Sequence, residues 1–277
     1  MFTRREMLLA AAAPALLAKK AGFKIGVTDW NLQLSGKVDA VALASKLGFE
    51  GVEVSLGRKP VDGKLPLDNA ELHAQYLAAA KQHNIRLAGT CLDILHVNYL
   101  KNDKLGQKWI ADGISITKKL NARVMLMPFF GKGAMETPQE MDYVADVLKE
   151  LAPEAEKAGI MLGLEDTISA ADNVRIMERV KSKALLVYYD VGNSTNNGFD
   201  VVREIRWLGA KRICQIHLKD KGYLGEGAID FERVIRTIDD SGYKGFANFE
   251  TSSPSKNIEG DMKRNLAFVR KVMASAG

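Results

Sequence analysis

Four apolar runs in the second half of the 277-residue sequence each end in a side chain able to hold a metal ion. Residues 160–164 lead into Glu165, residues 184–189 into Asp190, residues 212–216 into His217 and residues 245–249 into Glu250. Two Glu carboxylates, one Asp carboxylate and one imidazole form a mixed oxygen and nitrogen set. Such a set suits one divalent ion, Mn²⁺ first, with Mg²⁺, Co²⁺ or Zn²⁺ as alternatives. A single acid at the end of an apolar run is usually chance or a helix cap. Four in succession, all at the carboxyl end, are what a (β/α)8 barrel needs to converge ligands on the face where such barrels place their active sites.

The elements that must position these ligands recur along the whole chain. Strand-like runs cover residues 23–30, 51–56, 86–95, 122–128, 160–165, 184–190, 212–217 and 245–250. Helical patterns lie between and after them, at residues 38–47, 69–83, 101–120, 137–159, 172–180, 200–208, 231–240 and 259–274. Gly48 closes the first helix, and Thr137-Pro138-Gln139-Glu140 opens the fourth with a capping box and a proline at its first position. Strand to helix to strand in repetition implies parallel pairing, so the expected fold is α/β, a single (β/α)8 TIM barrel over residues 23–277. An open doubly wound sheet would need a phosphate-cradling Gly-rich turn after an early strand. Gly131-Lys132-Gly133 and Gly225-Glu226-Gly227 lack that spacing.

Several motifs together resemble the xylose isomerase-like TIM barrel superfamily, the sugar isomerase and epimerase group that also contains an apurinic endonuclease. They are Leu162-Gly163-Leu164-Glu165-Asp166, Asp190-Val191-Gly192-Asn193, Gln215-Ile216-His217-Leu218-Lys219-Asp220, Gly225-Glu226-Gly227 followed by Asp230-Phe231, and Asn248-Phe249-Glu250. The resemblance implies that Glu165, Asp190, His217 and Glu250 are the metal ligands and that Glu165 and Glu250 double as the acid/base pair. The chemistry asks for the same arrangement: a divalent ion stabilises the enediolate formed when a proton beside a sugar carbonyl is removed. Two carboxylates on opposite faces of that carbon let one abstract while the other delivers. Asn193, Lys219, Glu53, Trp30 and His96 are the candidate substrate contacts, with Trp30 and Phe129-Phe130 offering an apolar wall for a sugar face. Glu53 has a second reading as a buried, paired barrel residue.

The chain departs from the family pattern at two places. Epimerases of the group usually carry a His where this chain has Asn193 and an Arg where it has Tyr223. Four histidines in all, His73, His83, His96 and His217, are too few for the three-zinc cluster of the endonuclease. The expected function is a metal-dependent sugar isomerase or epimerase acting on an unphosphorylated sugar through an enediolate. The alternatives are a 3-keto-glycoside lyase using the same site and a catalytically silent sugar-binding barrel.

A composition of 47% hydrophobic and 26% charged residues describes a soluble globular protein with ample core. The net charge of +5 comes from scattered basic residues, not from a clustered nucleic-acid footprint. Cys91 and Cys214 read as buried small hydrophobes without a disulfide. Residues 1–18 carry Arg4-Arg5 and then a short apolar run, below the roughly 20 residues a membrane span needs. The pattern is that of a twin-arginine export signal, which implies passage through the Tat translocase to the periplasm. Export is the reason for expecting an unphosphorylated substrate. Whether the chain forms a homo-oligomer is left open.

Overall fold

The computed structural model describes residues 22–275. The export signal expected at residues 1–18 lies outside the described residues.

Eight parallel strands close into a barrel in sequence order. They are β1 (Lys24–Thr28), β2 (Gly51–Ser55), β3 (Arg86–Cys91), β4 (Val124–Pro128), β5 (Met161–Glu165), β6 (Leu185–Asp190), β7 (Ile213–Leu218) and β8 (Phe246–Phe249). Closure is made by β8 pairing with β1, where Gly26 faces Asn248 and Val27 faces Phe249. The strands are buried along nearly their whole length, because helices cover the outer face and side chains fill the inner one.

The helices packed around the barrel are α1 (Asp39–Leu47), α2 (Ala70–Gln82), α3 (Lys104–Lys119), α4 (Pro138–Ala158), α5 (Ala170–Val180), α6 (Val191–Asn196), α7 (Val201–Leu208), α8 (Phe231–Asp240) and α9 (Ile258–Ser275). Local chemistry explains their limits. The Thr137 hydroxyl accepts from the Glu140 amide at 3.2 Å and the Glu140 carboxylate accepts from the Thr137 amide at 3.0 Å, which completes the capping box of α4. Gly48 and Gly159 end α1 and α4 in the left-handed region, with φ of 94° and 74°.

Two segments differ from the expectation. The third strand stops at Cys91, and residues 93–96 form a 3-10 turn in its place. There the Asp93 carboxylate accepts the Ser55 hydroxyl at 2.7 Å and turns the chain across the end of β2. The second is α6, a short helix of poor helix formers directly after β6. It exists because Asp190 caps it, its Oδ1 accepting the Asn193 amide at 2.7 Å. Among the described residues no helix is long and apolar enough to cross a membrane. Cys91 and Cys214 are free and buried, as expected.

Candidate metal centre and active-site pocket

Glu165 ends β5, Asp190 ends β6, His217 lies one residue from the end of β7, and Glu250 follows β8. Parallel strands of similar length bring these positions to one rim of the barrel, and one ligand atom from each residue lies within 4.8 Å of all the others. His217 Nδ1 stands 2.9 Å from Glu165 Oε1, 3.5 Å from Glu250 Oε2 and 3.8 Å from Asp190 Oδ2. Ligands about 2.1 Å from one ion lie at most about 4.2 Å apart, and the three distances from His217 Nδ1 fall inside that span, so the residues would fit a shared ion. Asp190 Oδ2 supports that fit, since it is buried and has no hydrogen-bond partner while Oδ1 caps α6. Three carboxylates and one imidazole favour a cation that accepts oxygen and nitrogen together.

The electrostatics follow from packing acids without water. Burial pushes Glu165 up to about 8 against the opposing pull of the His217 charge. Burial, helped by the neighbouring Glu250 charge, pushes Asp190 up to about 6. Glu250 behaves oppositely: burial works against its charge, but His217 and Lys219 outweigh it and hold the group down at about 2. Burial likewise opposes the His217 and Lys219 cations, yet the surrounding carboxylates raise both above their ordinary values.

Above the four ligands opens a cavity of about 870 Å³. Trp30, His96, Asn193 and Lys219 line it together with Glu165 and Glu250. Trp30 donates Nε1–H to Glu250 Oε1 at 3.0 Å, and Lys219 Nζ donates to Glu250 Oε2 at 2.7 Å while standing 3.6 Å from Asp190 Oδ2. Each oxygen of Glu250 is thus held by its own donor. His96 stacks on Phe130 with ring centroids 6.0 Å apart and forms part of the wall with it.

One expected contact, Glu53, is placed elsewhere, and Tyr223, which stands where the family carries an Arg, does not line the cavity. Glu53 is fully buried beneath His217 and absent from the cavity wall, so it is the buried, paired barrel residue of its second reading. Tyr223 donates its hydroxyl to Asp261 at 2.8 Å and lies under the Arg264 guanidinium, tying the loop after β7 to α9 and not facing the cavity. Arg58, Lys59 and Asp93 line the mouth without having been singled out in the sequence. They sit in connections whose course depends on the fold, Arg58 and Lys59 after β2 and Asp93 in the 3-10 turn after β3, and no spacing marks them.

The pattern that defines the xylose isomerase-like TIM barrel family matches residues 41–272. A 2-epi-5-epi-valiolone 7-phosphate 2-epimerase from Actinoplanes sp. is 26% identical over 201 residues, covering 71% of this chain and 72% of the relative. An L-ribulose-5-phosphate 3-epimerase from Salmonella typhimurium is 26% identical over 264 residues, covering 87% of this chain and 91% of the relative. Among solved structures, an L-ribulose 3-epimerase superposes with a TM-score of 0.75 at 19% identity, over 92% of this chain and 95% of its own.

Proposed function

The chain belongs to the xylose isomerase-like TIM barrel family, and from that premise we propose that it is a sugar isomerase or epimerase that works with one divalent metal ion, Mn²⁺ first, on an unphosphorylated keto-sugar. The observation that carries the proposal is the convergence of Glu165, Asp190, His217 and Glu250 within 4.8 Å of one another below an open cavity. These four residues would hold the ion. When bound, the ion supplies positive charge against the enediolate that proton removal creates.

The chain's own side chains do the remaining work. Glu165 and Glu250 form the acid/base pair, one removing and keeping the proton beside the carbonyl and the other delivering its own carboxyl proton to the opposite face. Trp30 and Lys219 fix the Glu250 carboxylate. Asn193 and Lys219 offer polar contacts to sugar hydroxyls, while Trp30 and Phe130 supply apolar wall. The proposal includes export to the periplasm by the twin-arginine pathway, where a free sugar is the natural substrate.

The test uses the full chain loaded with Mn²⁺ in deuterated water, with a set of free ketoses and a 3-keto-glucoside. The expected result is deuterium at the carbon beside the carbonyl together with an isomeric sugar. Release of a free aglycone in place of an isomer would move the assignment to a lyase. Tight binding with no exchange at any carbon would make the protein a silent sugar-binding barrel. A second reading of the substrate rests on Arg58 and Lys59 at the cavity mouth, two cations suited to an anionic sugar. Both curated relatives carry a phosphate in their substrates' names, so faster turnover of a sugar phosphate than of its free sugar would support that reading.

A further inference from the structure

Below His217 the inside of the barrel is polar where a layer of branched apolar side chains is the usual filling. Glu53, Tyr188, Gln215 and Asn248 meet there, all buried. Gln215 Nε2 donates to the Ala88 carbonyl at 2.5 Å, and Asn248 Nδ2 donates to Gln215 Oε1 at 2.8 Å and to the Tyr188 hydroxyl at 2.8 Å. Tyr188 donates to Glu53 Oε2 at 2.7 Å, and His217 Nε2 lies 3.0 Å from the same oxygen.

The direction of this chain is set at its far end. A backbone carbonyl only accepts, so Gln215 must turn its amide nitrogen to Ala88 and its oxygen to Asn248. Asn248 must then present its own nitrogen, which supplies a proton to the Tyr188 oxygen. The single hydroxyl proton of Tyr188 is left for Glu53. As a carboxylate Glu53 receives at Oε2 from Tyr188 and, at 3.3 Å, from Asn248 Nδ2, and as an acceptor only it takes the contact of His217 Nε2 as a hydrogen bond donated by the ring. In a neutral imidazole this leaves the lone pair on Nδ1, the nitrogen that faces Glu165, Asp190 and Glu250.

The backbone makes room for the arrangement. Strand register slips between β2 and β3 and between β6 and β7 leave Ala88 and Cys214 without paired partners, next to the two ends of the Gln215 contact. A Cβ at Gly26 would stand 2.0 Å from Asn248 Oδ1, and one at Gly89 would stand 3.1 Å from Gln215 Oε1. Glycine on β1 and on β3 is what lets the polar side chains fit.

We propose that Glu53 is a positioning residue for the metal centre: held by the Ala88–Gln215–Asn248–Tyr188 relay, it accepts the Nε2–H hydrogen bond of His217 and turns Nδ1 toward the three carboxylates. The inference rests on the metal-centre reading above. A carboxylate behind a ligating histidine fixes its tautomer and ring orientation, and its loss costs about 10–100-fold in metal affinity.

The experiment compares the wild-type full chain with Glu53→Gln and Tyr188→Phe. Each is stripped with chelator and titrated with Mn²⁺, and the His217 ring is followed by ¹H–¹⁵N NMR in the metal-free and Zn²⁺-loaded forms. Glu53→Gln is expected to lose about 10–100-fold in Mn²⁺ affinity and to lose the low-field Nε2–H signal of a proton held by a carboxylate. Tyr188→Phe, which removes one hydroxyl and keeps the ring, should move both readouts in the same direction by less. It carries the test if Glu53→Gln does not fold. Unchanged affinity and an unchanged His217 signal in a folded variant would overturn the inference while leaving the metal centre intact. If the wild type itself binds no divalent ion, the functional reading fails. The metal-free Nε2–H signal, and its loss on changing Glu53, then still decides the role of Glu53.

Discussion

Glu165 and Asp190 are acids placed where water cannot solvate their charge, and protons compete with any ion for them. With Glu165 pushed up to about 8 and Asp190 up to about 6 by burial, both carry protons below pH 6 and both are bare above pH 8. Since a ligating carboxylate must be deprotonated, and the raised His217 cation must also give up its proton, divalent-ion affinity should rise as pH increases through that window and not fall above it. Titration with Mn²⁺ at pH 5.5, 7 and 8.5, with proton release followed calorimetrically in two buffers, checks the sign. Affinity flat across the window would mean that these carboxylates do not bind the ion. The same residues show what local sequence can reveal. Glu165, Asp190, His217 and Glu250 were legible because each closes an apolar run. Glu53 was ambiguous because an acid within a strand looks alike whether it meets a sugar or a buried histidine. Arg58, Lys59 and Asp93 carried no signal, since their place at the cavity depends on the loops between β2 and α2 and after β3.

Elements of this barrel are shaped by what their glycines leave empty. Gly26 on β1 faces Asn248 across the seam that closes the barrel, and the added Cβ of an alanine would overlap the Asn248 amide oxygen at 2.0 Å. Neither backbone nor a flexible chain end can yield cheaply there, because Asn248 is held by Gln215 and Tyr188. Gly26→Ala should therefore destabilise the fold by about 1–3 kcal/mol, the usual cost of overpacking a filled core. Chemical denaturation followed by tryptophan fluorescence reads this directly. A variant as stable as the wild type would show that the polar layer can shift to accept a methyl group. Helix limits follow simpler rules, and Thr137, Gly48 and Gly159 act where their types and spacing indicated. The short helix α6 was not legible, because Val-Gly-Asn-Ser-Thr-Asn has low helix propensity and only the Asp190 cap, itself part of the centre, supports it.

For the molecule as a whole, the proposed centre draws its residues from four strands, which would make ion binding a property of the closed barrel. The unfolded chain has its ligands spread from residue 165 to residue 250 and holds an ion poorly, so binding should stabilise the native state. At a free ion concentration of about 100 times Kd the gain is about 2.7 kcal/mol. For a domain of this size that corresponds to a rise in Tm of roughly 5–10 °C, at about 2–4 °C per kcal/mol. Melting curves of chelator-treated protein with and without added Mn²⁺ test it, and an unchanged Tm at saturating ion would contradict a centre shared among the strands.

By itself the sequence determined the alternation of strands and helices, the stops and caps between them, and the residue types at the carboxyl ends of the last four strands. Those features are local: period, capping and turn chemistry act over a few residues. Only the tertiary structure decided that Trp30 would hold Glu250 across 220 positions, that Glu53 would stand behind His217 across 164, and that Tyr223 would turn away toward α9. Such meetings depend on barrel closure and on strand register. A slip of one residue in β3 or β7 would leave the sequence pattern intact while moving every inward side chain to the other face.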